Sequence, residues 1–214
     1  MNIPDGLAFD KAVNLYVVEN GSNQVEKFSP TGTDLGRFAS TGLSGPSGLA
    51  FDSAGNLYVA NYSIGTVEKF SPTGTDLGAF ASGLNGPQAV AFDKAGNLYV
   101  TGGQFNTSGG LVERFSPTGV DLGSFASTGL NGPTGLAFDP AEDLYVTNYL
   151  SNTVETFSPT GADLGTFAST GMNGPAGIAI QVSSAAVPEP SSLVMGLIGL
   201  TLACGTVVRR SHCS

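Results

Sequence analysis

Apolar residues come in short runs along most of this chain, with turn-forming residues between them. In one stretch, "GLAF", "NLYV", "TVEKF" and "LGAF" follow one another in that order. The first two are unbroken apolar runs rich in Leu, Val, Phe and Tyr, the pattern of strands buried on both faces. The last two interleave apolar with polar positions, as outer, partly solvated strands do. "FDSAGN" separates the first two runs, and its Asp52, Gly55 and Asn56 favour a tight hairpin through Asx hydrogen bonding and positive φ. "SPTG" separates the last two, placing Ser71, Pro72 and Gly74 at the i, i+1 and i+3 positions of a type I turn.

The whole pattern repeats. Pro4, Pro46, Pro87, Pro133 and Pro175 head successive copies, at spacings of 42, 41, 46 and 42 residues. The Ser-Pro-Thr-Gly turn recurs at residues 29–32, 116–119 and 158–161. Helical repeats of this length need an apolar period of 3.6, which glycine and proline at this density would break. Four antiparallel strands in a unit of ~40–45 residues are the arithmetic of a β-propeller blade, which buries its two faces only by stacking on neighbours. The sequence therefore predicts an all-β propeller of four complete blades, about residues 4–45, 46–86, 87–132 and 133–174. Residues 175–182 begin a fifth, with an innermost strand at 177–180.

One unit, "P-S-G-L-A-F-D-S-A-G-N-L-Y-V-A-N" followed by "V-E-K-F-S-P-T-G", resembles the NHL-repeat family of β-propellers. That family includes protein-interaction modules, RNA binders and lyase- or hydrolase-like enzymes, so the resemblance implies a fold and leaves function open. Propellers commonly close by building one blade from both chain ends, because an open ring exposes strand edges. Here the partial unit offers one inner strand only, while the first unit starts at its own inner strand. The reading favoured by this pattern is an incomplete ring whose three remaining strands lie upstream of Met1. The alternative is a small four-bladed ring with a redundant final strand.

Composition narrows the chemistry. All but one of the 17 acidic residues and all but two of the 8 basic ones precede Pro188, so the repeats form a strongly acidic body. Such a body repels phosphate backbones, which argues against nucleic-acid binding. The single histidine is His212 and both cysteines, Cys204 and Cys213, also lie at the end, so the repeats can hold neither a disulfide framework nor His-based catalysis. We expect no cofactor and no enzyme activity; a propeller lyase or lactonase, or a matrix protein without a specific ligand, are the competing readings. Asp10, Asp52, Asp93 and Asp139 recur after each first strand, but without the spacing of a calcium loop they read as turn formers. Asn20, Asn61 and Asn148, with Gly102 in the third unit, read as turn residues at the end of the second strand.

The tail has a different character. Residues 183–192 form a polar linker containing Pro188, Glu189 and Pro190; residues 193–208 carry no charge; Arg209 and Arg210 open a basic end, 209–214. Sixteen residues of helix span ~24 Å, a short match to a hydrocarbon core of ~30 Å, and the arginines would hold that end on the cytoplasmic side. Motif, span and arginines together resemble the PEP-CTERM sorting signal of bacterial envelope proteins. The resemblance implies recognition of Pro188, Glu189 and Pro190 by a membrane exosortase, a transmembrane helix as temporary anchor, and a cell-surface or extracellular destination. Such a signal needs export, so a signal peptide is expected upstream as well. The loops after the second strands vary most between units, and they display Tyr62, Phe105 and Tyr149. Propeller geometry puts them on one rim with the inter-blade "TGLNGP" segments, a surface suited to extracellular polysaccharide or an envelope protein.

Overall fold

The computed structural model describes residues 2–103 and 109–180. It contains sixteen strands and, apart from the 3₁₀ turn Asn20–Ser22, no helix among the described residues. Four antiparallel sheets follow the repeat: β1–β4 (Pro4–Phe9, Leu15–Glu19, Gln24–Phe28, Asp34–Ala39), β5–β8 (Pro46–Phe51, Leu57–Asn61, Thr66–Phe70, Asp76–Ser82), β9–β12 (Val90–Phe92, Leu98–Gly102, Leu111–Phe115, Asp121–Ala126) and β13–β16 (Pro133–Phe138, Leu144–Asn148, Thr153–Phe157, Asp163–Ala168). Each sheet pairs its strands in sequence order, the topology of a propeller blade. Contacts of β5 with β1 and β9, and of β9 with β13, align the first strands of consecutive blades.

The turns form as their residues dictate. Asp52 Oδ1 accepts the amides of Ala54 and Asn56, while Oδ2 accepts Asn56 Nδ2 and the Tyr58 hydroxyl. Burial alone would raise its pKa, but these hydrogen bonds outweigh burial and lower it. Ser71 Oγ accepts the amides of Thr73 and Thr75, and Gly74 takes the positive φ of 85° that closes the turn. Strand β7 is more buried than its mixed sequence predicts, because Val67 and Phe70 are fully enclosed between blades.

The core lies between blades, in three clusters. Leu49 of blade 2 packs with Tyr16, Val18 and Val25 of blade 1. Val90 of blade 3 meets Tyr58, Ala60 and Val67, and Leu136 of blade 4 meets Tyr99 and Val112. An aromatic triad marks each interface: Tyr16 with Phe38 and Phe51, Tyr58 with Phe80 and Phe92, Tyr99 with Phe125 and Phe138, all edge-on at 4.8–4.9 Å. Edge-on pairs of this kind contribute about 0.5–1.5 kcal/mol beyond the area they bury.

No such cluster joins blade 4 to blade 1 among the described residues. Phe9, which matches Phe51 in the repeat, is 58% exposed, and Phe167, which matches Phe38, is 68% exposed. The inner strands tell the same story. A methyl group on Gly6 or Gly48 would overlap the carbonyl oxygen of Ser47 or Gln88 in the next blade, and one on Gly135 would stand 2.7 Å from that of Ala176. Gly177 has nothing within 4 Å, so the series stops there and the described ring is open.

The predicted fifth inner strand needs correction. Residues 175–180 lie beside β13, where Thr134 Oγ1 donates to Pro175 O at 2.8 Å, but they form no strand. An inner strand is held by the second strand of its own blade, and 175–180 has none among the described residues. The linker motif, the apolar span 193–208 and the basic end lie outside the described residues. Within them, no helix is long and apolar enough to cross a membrane.

Candidate functional site

Four inner strands converge on a central cavity of about 530 Å³. The residue that follows the head proline of each unit lines it: Asp5, Ser47, Gln88 and Thr134, joined by Ala176. Two of these side chains are committed to the frame. Ser47 Oγ donates to Gln88 O at 2.8 Å, and Thr134 Oγ1 donates to Pro175 O, so each hydroxyl ties its strand to the next one. Gln88 is buried, yet its side-chain amide has no hydrogen-bond partner among the described residues. Burial raises the Asp5 carboxyl above the usual range. The cavity thus offers one carboxyl and one amide against apolar Leu7, Leu49, Val90, Leu136 and Ile178. That set can orient a small hydrogen-bonding ligand. It supplies no nucleophile paired with a base, and among the described residues no three His, Cys, Asp or Glu side chains gather to hold a metal.

The loops that start at Tyr62 and Tyr149 are hydrogen-bonded to the inter-blade segments. Tyr62 N donates to Gly45 O at 3.0 Å, and Tyr149 N donates to Gly132 O at 2.9 Å. Two of the three candidate aromatics fall among the described residues. Tyr149 is 40% exposed, lines the central cavity and lies against Gly174. Tyr62 lies against Gly86, outside the cavity lining. Phe105 falls outside the described residues. Sequence reading missed Asp5, Ser47, Gln88 and Thr134. The available signal was variation at the position directly after the constant proline of each unit.

The asparagines at the end of the second strands are more than turn formers. Strand register pairs Pro4 with Glu19, Pro46 with Asn61 and Pro133 with Asn148, so Glu19, and not Asn20, matches Asn61. Asn61 is fully buried: Nδ2 donates to Gly42 O and Thr66 Oγ1, and Oδ1 accepts Ser44 N–H. Asn148 repeats the arrangement with Gly129, Thr153 and Asn131. Each asparagine ties the incoming linker to its blade. Nearby, burial and the Asp76 carboxylate push Glu68 up to about 7; burial and neighbouring carboxylates also raise Glu26 and Glu113.

Comparison with known proteins bears on both ends of this picture. Residues 186–211 match the PEP-CTERM protein-sorting motif. The match spans Pro188, Glu189, Pro190, Arg209 and Arg210. No curated protein matches the chain in sequence. Among solved structures, the repeats are similar to a candidate gluconolactonase (TM-score 0.69, 17% identity, 81% of this chain and 67% of that one). They are also similar to a chain of the nidogen/laminin complex (0.60, 20%, 82% and 84%) and to virginiamycin B lyase from Staphylococcus aureus (0.65, 13%, 81% and 58%). At these identities the likeness shows the propeller fold alone, and that fold serves enzymes and non-enzymes alike.

Proposed function

We propose that this protein is an exported, non-enzymatic propeller that an exosortase processes at the bacterial cell envelope and that binds a partner through the rim around its central cavity. The match at residues 186–211 carries the sorting half of this reading. In it, Pro188, Glu189 and Pro190 are the recognised signal, residues 193–208 the temporary membrane anchor, and Arg209 and Arg210 its cytoplasmic stop. The partner is an extracellular polysaccharide or another envelope protein, engaged by Tyr149 at the cavity mouth with Tyr62 and Phe105 alongside. Aromatic rings suit such a role because they stack or fill pockets while ordering few rotatable bonds.

Replacing Pro188, Glu189 and Pro190 together by Ala tests the sorting step in a host that carries an exosortase. The apolar span is unchanged, so the precursor inserts and stays unprocessed. Processing at the wild-type rate overturns the assignment. A lyase or lactonase reading has one observation behind it, the likeness to propeller enzymes. Turnover of a lactone by the purified chain, abolished by Asp5→Asn, would favour it over a binding role.

A further inference from the structure

The residue after the head proline divides the blades into two kinds. In blades 2 and 4 it carries a hydroxyl that the frame uses. Ser47 Oγ donates to Gln88 O and Thr134 Oγ1 to Pro175 O, each reaching across to the next copy of the repeat. In blades 1 and 3 it is Asp5 and Gln88, and neither side chain has a hydrogen-bond partner among the described residues. The Gln88 backbone is fixed, since its N–H donates to Thr101 O at 3.0 Å and its carbonyl accepts Ser47 Oγ. Its side chain is only 7% exposed. Buried polar groups are almost always paired, so an unpaired amide at a cavity wall points to something that enters the cavity.

Size and chemistry say what that is. A volume of about 530 Å³ falls within the range of small-molecule sites, roughly 300–1,000 Å³. It suits the end of a glycan chain, and not the broad contact of ~800 Å² a side through which folded proteins associate. Asp5 is the one charged side chain among the described residues that line it, and the repeats around it are strongly acidic. Uronate, sulfate and phosphate groups are therefore repelled. A hydroxyl suits both free side chains: it donates to the Asp5 carboxylate or to Gln88 Oε1, and accepts from Gln88 Nε2. Leu49, Val90 and Leu136, with the Tyr149 ring, supply apolar surface for the C–H faces of a sugar ring.

We propose that the central cavity binds an uncharged saccharide, with Gln88 as the residue that selects it and Asp5 as a second hydroxyl contact. This rests on the partner-binding reading above and narrows the partner to a neutral glycan. Ser47 and Thr134 contribute no donor to it, because their hydroxyl protons are already committed to the frame.

A glycan array of neutral hexose oligosaccharides and oligogalacturonates, probed with the full chain in detergent, tests it. Binding confined to uncharged glycans is expected, with oligogalacturonates at least about tenfold weaker than the best neutral oligosaccharide. Gln88→Leu should weaken that oligosaccharide by about tenfold or more and leave the melting temperature unchanged, since the amide has no partner in the protein to lose. If Gln88→Leu does not fold, Asp5→Ala should weaken the same oligosaccharide by about threefold or more. The inference fails if oligogalacturonates bind equally well, if no glycan binds, or if binding survives these changes. Should Tyr149→Ala abolish binding of a glycan or an envelope protein that Gln88→Leu leaves intact, the rim still binds a partner and only the neutral-saccharide assignment falls.

Discussion

The inside of the blade array and its ends are built from the same residues, yet they meet different fates. Phe51, Phe92 and Phe138 each sit in an aromatic triad with the tyrosine and phenylalanine of the preceding blade. Phe9 has the same place in its repeat and stands 58% exposed. Tyr145 keeps one partner, Phe167 at 5.1 Å, where its three equivalents keep two. A blade is thus a two-sided adhesive whose value depends on a neighbour being present. Hydrophobic burial is a property of an interface, and sequence identity between repeats does not carry it.

The largest contrast should come from truncating the rings. Tyr58→Ala removes a 2% exposed side chain from the middle of a triad and should cost about 3–5 kcal/mol. Phe9→Ala should stay within about 0.5 kcal/mol, because the ring is already largely exposed. Urea midpoints of the two variants check this, and equal losses would mean that Phe9 has a partner in solution. A smaller contrast separates Gly48→Ala from Gly177→Ala. The first forces a methyl onto Gln88 O and Ala89 Cα, an overpacking cost of about 1–3 kcal/mol, while the second meets open space and should be neutral in the same measurement.

The smallest effect concerns protons. Burial first, and Asp76 next, raise Glu68 from 4.5 to about 7. A carboxyl raised on folding contributes stability that is complete below about 4.5 and lost as pH rises through about 7. Glu68→Gln removes this dependence. The variant's melting temperature should therefore gain on wild type as pH rises through that window, with the two converging at the acid end. A difference independent of pH would show that Glu68 does not titrate there.

Much of the fold was legible in the residues. Turn chemistry is local: Asp52 with Asn56, and Ser71 with Gly74, satisfy their hydrogen bonds within four residues, so spacing alone announced them. The alternation of Pro-x-Gly segments, tyrosine strands and Ser-Pro-Thr-Gly turns announced four-stranded units for the same reason. Asn61 was misread as a turn former because its partners Gly42 and Ser44 belong to the preceding linker, out of reach of any local rule. The tail was readable too, since a sorting signal is recognised as sequence.

What the sequence determined by itself was therefore the repeat, its strands and turns, the acidity of the body and the sorting motif at 186–211. All of these rest on interactions between residues close together in the chain, or on recognition of the chain as such. The tertiary structure decided which copies of an apolar face are buried, that Asp5, Ser47, Gln88 and Thr134 meet around one cavity, and that Asn61 and Asn148 tie the incoming linker to the blade. These depend on contacts between blades some forty residues apart, where a neighbour's presence, and not the residue's own identity, sets the energy.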